Sequence, residues 1–152
     1  CPICQSIVCP NDTRTCSKCG IKGCRLDVID CPSCGKAACV DHSVVCFICG
    51  QRVCSDCLSG PEGHCKTCDG LFPATSSSSA IDQILSKNGR IRSNTLNRWL
   101  INENRDGFIV MKGGLRMRAY IINKSTGKVQ AEHRLGFIDS LRASIRLKIK
   151  KI

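Results

Sequence analysis

Apolar residues are distributed unevenly along the chain, and its two halves read differently. Over residues 1–70 they are mostly small and scattered, among them Ile3, Val8, Ile21, Val40 and Val53, with Phe47 the one aromatic before Phe72. Burying these few groups cannot offset the entropy of ordering this half of the chain. From residue 80 onward the apolar positions become periodic. A serine cap ahead of residues 80–87 sets Ile81, Ile84 and Leu85 on one side of a short helix, which Asn88-Gly89 ends. The period then changes to two. Residues 99–101 and 108–111 flank Asn104-Arg105-Asp106-Gly107, a hairpin signal. Gly113-Gly114 turns the chain into a strand over residues 115–121, and a turn over residues 123–127 leads to another over 129–133. A last strand is expected over residues 145–150, where Ile145, Leu147 and Ile149 alternate with basic residues. The expected architecture is a small zinc-stabilised array followed by an α+β domain built on an antiparallel β-meander. Its expected divisions are a cysteine-rich module over residues 1–70, a serine-rich junction over 71–79, and a second module over 80–152.

Composition sharpens the division. All fifteen cysteines lie between Cys1 and Cys68. Such density means either a disulfide scaffold or bound metal. The odd count and the many C-x2-C pairs favour metal, because that spacing lets two thiolates grip one zinc from a tight turn. Internal repetition strengthens the reading. Blocks of fifteen residues align CPICQSIVCPND, CSKCGIKGCRLD, CPSCGKAACVDH and CFICGQRVCSDC, starting at Cys1, Cys16, Cys31 and Cys46. Each block is C-x2-C-x4-C-x2-Z, and Z is Asp12, Asp27, His42 and Cys57 in turn. All three residue types can bind zinc, although Asp12 and Asp27 also suit a solvated turn. Cys65 and Cys68 close the series. Each zinc supplies on the order of 10 kcal/mol of folding free energy, enough to build a module that lacks an apolar core.

The segment from Cys46 to Cys57, with its C-G-x3-C centre, resembles cross-brace zinc domains of the FYVE type. In those domains the two cysteine pairs flanking that turn bind different metals. Extended to every block, the resemblance implies four interlaced sites: Cys1/Cys4 with Cys24/Asp27, Cys16/Cys19 with Cys39/His42, Cys31/Cys34 with Cys54/Cys57, and Cys46/Cys49 with Cys65/Cys68. About four Zn2+ ions would then be held, with Cys9 and Asp12 left over. The alternative, one zinc inside each block, would strand Cys65 and Cys68 instead. The basic histidine-rich stretch by which FYVE domains grip phosphoinositides is missing here. A looser similarity is to the RING pattern, met by Cys16, Cys19, Cys39, His42, Cys46, Cys49, Cys65 and Cys68. It implies a ubiquitin-ligase-type role as a minority reading.

Charge divides as the cysteines do. Residues 1–70 hold seven Lys/Arg and seven Asp/Glu, whereas residues 71–152 hold sixteen against five. In the strands expected over 115–121 and 145–150, alternation sets Arg116, Arg118 and Tyr120, and Arg146, Lys148 and Lys150, on the solvent side. Two basic strand faces point to a surface for the phosphate backbone of DNA or RNA, with Tyr120 the one stacking candidate. The competing reading is a scaffold whose basic sheet meets an acidic protein. Trp99 is expected in the core and His133 on a strand surface. Gly113-Gly114 lies in no phosphate-loop pattern, and no Ser/His/Asp set has a defensible spacing, so no enzyme and no small-molecule substrate are expected. No apolar run approaches bilayer length, so no membrane partner is expected either. Thiols committed to metal suit an intracellular compartment, cytoplasmic or nuclear. The leftover Cys9 and Asp12 suggest a further C-x2-C pair upstream, in a larger machine of which this chain is the C-terminal part.

Overall fold

In the computed structural model of the chain the described residues are 1–60, 63–73, 99–112 and 117–149. They divide into two compact units, one of Cys1–Cys46 with Gln51–Lys66, the other of Phe47–Gly50 with Thr67–Ile152. The expected helix over residues 80–87 lies outside the described residues.

Four short antiparallel hairpins carry the cysteines. β1 (Thr13–Thr15) pairs with β2 (Lys22–Cys24), and β3 (Val28–Asp30) with β4 (Ala37–Cys39). β5 (Ser43–Val45) pairs with β6 (Arg52–Cys54), and β7 (Leu58–Ser59) with β8 (His64–Cys65). The register repeats with the sequence. The residue following each Z position sits opposite the third cysteine of the next block or, in the last hairpin, opposite Cys65: Thr13 with Cys24, Val28 with Cys39, Ser43 with Cys54, Leu58 with Cys65. Between the strands of the first three hairpins the C-x2-C-G segment makes a tight knuckle. The amides of Cys16, Cys31 and Cys46 donate to the carbonyls of Ile21, Lys36 and Gln51 at 2.8–2.9 Å. Gly20, Gly35 and Gly50 take left-handed φ values of 73°, 77° and 73°, where a Cβ is disfavoured. The same position in the first block is Gln5, held at φ 60°. Apolar burial in these hairpins is slight; Cys16, Val28 and Cys39 form one small cluster flanked by Ile3 and Ala37.

The other unit is built on a five-stranded antiparallel sheet ordered β13-β12-β11-β10-β9. Its strands are β9 (Phe72–Pro73), β10 (Trp99–Glu103), β11 (Gly107–Lys112), β12 (Arg118–Asn123) and β13 (Val129–Arg134). Phe72–Pro73, at the start of the expected junction, forms its edge and pairs with Leu100 and Ile101. The hairpin at residues 104–107 forms because Asn104 folds over its own turn: its Oδ1 accepts from the amides of Asp106 and Gly107 at 3.1 and 2.8 Å. Asn123 does the same for Ser125 and Thr126 at the next turn, where Gly127 supplies a φ of 65°. Trp99, Ile101, Val110, Tyr120 and Ile122 make one buried cluster. The opposite-facing Ile109, Met111, Ala119 and Ile121 are buried too. Part of what lies beside the sheet is the Phe47–Gly50 turn. His133 Nε2 lies 3.2 Å from the Phe47 carbonyl, and Asn102 Nδ2 donates to the Thr67 carbonyl at 2.8 Å.

Two sequence expectations are corrected here. Tyr120 is not on a solvent face, because β12 is an interior strand with both faces covered and the ring tilts against Trp99, centroids 5.9 Å apart. The last strand expected over residues 145–150 is instead part of a helix, Phe137–Ile149. The alternation around Ile145 is brief, whereas the segment before it carries helical spacing. Phe137, Ile138, Leu141 and Ile145 share one side, and small Ser140 and Ala143 occupy another. Ser140 anchors the helix, its hydroxyl accepting from the Met117 amide at 3.1 Å. None of the helices among the described residues is long and apolar enough to cross a membrane.

Candidate metal centres

The hairpin register delivers ligands in fours. Cys16, Cys19, Cys39 and His42 converge, as do Cys31, Cys34, Cys54 and Cys57, then Cys46, Cys49, Cys65 and Cys68, then Cys1, Cys4, Cys24 and Asp27. Within each group the ligand atoms all lie within 4.8 Å of one another. Each of the first three repeats joins the C-x2-C of one block to the Cys-x2-Z of the next, and the last block joins the closing pair. This is the interlaced wiring, and it does not gather four ligands from one block. The RING-like octet is therefore not cross-braced: its first two pairs share one group and its last two another.

Two of the second halves of these groups are short 3₁₀ turns, Val40–His42 and Ser55–Cys57, each entered from a cysteine in extended backbone; residues 25–27 make a plain turn, and Cys68 lies on a short helix, Lys66–Asp69. The turn swings Z back beside its cysteine. Knuckle and turn are then tied together through sulfur. The Cys24 amide donates to Cys1 Sγ and the Cys65 amide to Cys46 Sγ, both at 3.3 Å. The amides of Cys39 and Cys54 serve Cys16 and Cys31 in the same way.

These donors tune the thiols. Burial pushes Cys16 up, but the amides of Cys39, Cys19 and Lys18 outweigh it and bring the thiol down to about 6. Cys31, buried but served by the amides of Cys54, Cys34 and Ser33, falls to about 7. Cys57 moves the other way, raised first by burial and then by hydrogen bonding with Cys34 and Cys54. Neighbouring thiols so close cannot all ionise unless a cation sits among them. The spacing suits zinc. Sulfurs of Cys4 and Cys24, of Cys19 and Cys39, and of Cys34 and Cys54 are 3.8, 3.8 and 3.6 Å apart. Tetrahedral zinc with bonds of about 2.3 Å sets sulfurs roughly 3.8 Å apart. No cysteine is in a disulfide. Four groups of four ligands with free thiols are consistent with about four zinc ions.

Asp27 occupies the fourth position of the first group, its Oδ2 accepting from Cys1 and Cys24 sulfurs at 3.0 and 2.9 Å. The bond from Cys24 is the main reason its carboxyl lies below the ordinary range. Asp12 and Cys9 sit on an equivalent 3₁₀ turn, Pro10–Asp12, but join no group; Asp12 pairs with Arg25 at 3.3 Å.

The residues expected to meet nucleic acid are dispersed. Arg118 is exposed on β12, Tyr120 is buried, and Arg146 and Lys148 fall on the helix; Arg116 and Lys150 lie outside the described residues. Sequence reasoning missed Lys112 and Arg134, which stand beside Arg118 in cross-strand register. Their signal was the pairing of turns, which fixes register once both hairpins are placed. Comparison with protein-family models, curated proteins and solved structures finds no match for this chain.

Proposed function

We propose that the chain is a non-catalytic, zinc-built binding module of a larger intracellular machine, and that its cysteine-free half engages the phosphate backbone of nucleic acid. One observation carries the reading: Lys112, Arg118 and Arg134, all exposed, lie directly opposite one another on β11, β12 and β13. Like charges facing one another weaken a sheet. Glu132 offsets part of this, accepting from Arg118 and Arg134 at 3.2 and 3.0 Å, and Lys112 Nζ lies 5.7 Å from the centre of the Trp99 ring, yet the row itself stays rich in positive charge. A polyanion laid across the strands would relieve the rest. The excess of sixteen Lys/Arg over five Asp/Glu in residues 71–152 gives the long-range attraction.

The test is salt dependence. Replacing Lys112, Arg118 and Arg134 together with Ser should weaken binding of duplex and single-stranded nucleic acid. It should also flatten the plot of log affinity against log salt by about 2 to 3, the yield of three lost phosphate contacts. An unchanged slope in a variant of unchanged urea midpoint sinks this reading. The second reading, a protein-interaction scaffold, is favoured by the apolar side of the helix, where Phe137, Ile138, Leu141 and Ile145 are more than half exposed.

A further inference from the structure

We propose that the group of Cys1, Cys4, Cys24 and Asp27 is an exchangeable zinc site, different in kind from the other three. The ion held there passes to and from a competing thiol or chelating ligand while the remaining three stay bound. The proposal rests on the zinc reading of the four groups.

Three independent features of this group converge. The first is the donor set. The other groups offer four thiolates or three thiolates and an imidazole, the closed sets of structural zinc; this one offers three thiolates and a carboxylate. A hard oxygen in a thiolate-rich site is the ligand most readily displaced by a softer competitor. The second is access. Cys46, Cys49, Cys65 and Cys68 are all buried, and Cys31, Cys54 and Cys57 are buried around an exposed Cys34. In the second group two ligands are buried, and in the first only Cys24 is, with Cys4 exposed and Cys1 and Asp27 half-buried. Among the described residues this group therefore has the fewest buried ligands, and a competing ligand meets the least protein cover there. The third is the backbone. The knuckle that presents Cys1 and Cys4 ends in Gln5 at φ 60°, where every other block has glycine. The Gln side chain is disfavoured in that conformation, so this knuckle is held less firmly in its ligating shape.

The interlacing keeps the loss local. Hairpin β1–β2 supplies Cys24 to the first group, but its own knuckle places Cys16 and Cys19 in the second. When the first ion leaves, that hairpin remains anchored by its neighbour.

The experiment is zinc release from the loaded chain to the chromophoric chelator 4-(2-pyridylazo)resorcinol, with total zinc measured by elemental analysis. One equivalent of about four should leave at least tenfold faster than the rest, with Trp99 fluorescence unchanged during that phase. Asp27→Cys should abolish the fast phase, and Gln5→Gly should slow it while leaving the other phases alone. Asp27→His serves if the cysteine variant does not fold. A single phase for all ions, or a fast equivalent that persists unchanged in the Asp27 variants, overturns the proposal. A total of two ions or fewer overturns the zinc reading itself, and the exchange site with it.

Discussion

Gly50 is required twice over, and replacing it with alanine separates the two requirements. Its φ of 73° is left-handed, which costs an alanine about 1–2 kcal/mol. A Cβ there would also stand 2.6 and 2.7 Å from Nδ1 and Cγ of His133, inside contact distance of a ring that is half-buried on β13. Overpacking of this kind costs about 1–3 kcal/mol. Gly50→Ala should therefore lose about 2–5 kcal/mol, whereas at Gly20, with φ 73° and nothing within 4 Å of the added carbon, only the backbone part applies. The assay is urea unfolding of the zinc-loaded chain followed by Trp99, the single tryptophan, which is buried in the same unit as Gly50 and His133. His133→Ala alone gives up its hydrogen bond to Phe47, about 1 kcal/mol. In that background Gly50→Ala should cost only the backbone part, because the clashing ring is gone, so the two substitutions couple by about 1–3 kcal/mol. If Gly50→Ala costs the same with and without the imidazole, the close approach of this knuckle to β13 is wrong.

Metal removal should act mainly on the hairpins. They bury little apolar surface, so chelation should erase the amide dispersion of residues 1–60 in an NMR spectrum, and dispersion that survives full zinc loss would contradict a metal-built array. Asp12 and Asp27 should behave differently despite their equivalent places in the repeat. Asp27→Ala should lower zinc by one ion per chain or leave it with a solvent ligand visible in a cobalt-substituted spectrum, whereas Asp12→Ala should leave content and spectrum unchanged.

How much was legible before the fold was known differs between the halves, and the reason is physical. The period of fifteen, the residue types at Z and the closing Cys65/Cys68 pair pointed to the residues that the four groups bring together, because metal coordination depends on residue chemistry at short, fixed spacings that a tight turn enforces. The Asn104–Gly107 hairpin and the strands around it were legible for a similar reason: turn residues act on their own backbone, and alternation of side chains needs no partner to be visible. What the chain could not say locally was which neighbours would cover each face. Tyr120 reads as solvent-facing only while β12 is imagined with one open side; β11 and β13 flank it, and apolar residues are buried on both faces. Ile145, Leu147 and Ile149 satisfy a strand's period and lie in a helix, which Ser140 and Ser144 tie to Met117, just ahead of β12, through its amide and its sulfur. His133 passed for a surface residue, although the Phe47–Gly50 turn lies against it from far away in sequence. Ligand identity belongs to the sequence, since it is set within a few bonds. The burial of Tyr120, the helical end and the row of Lys112, Arg118 and Arg134 belong to the tertiary structure, since each depends on strands brought together across long stretches of chain.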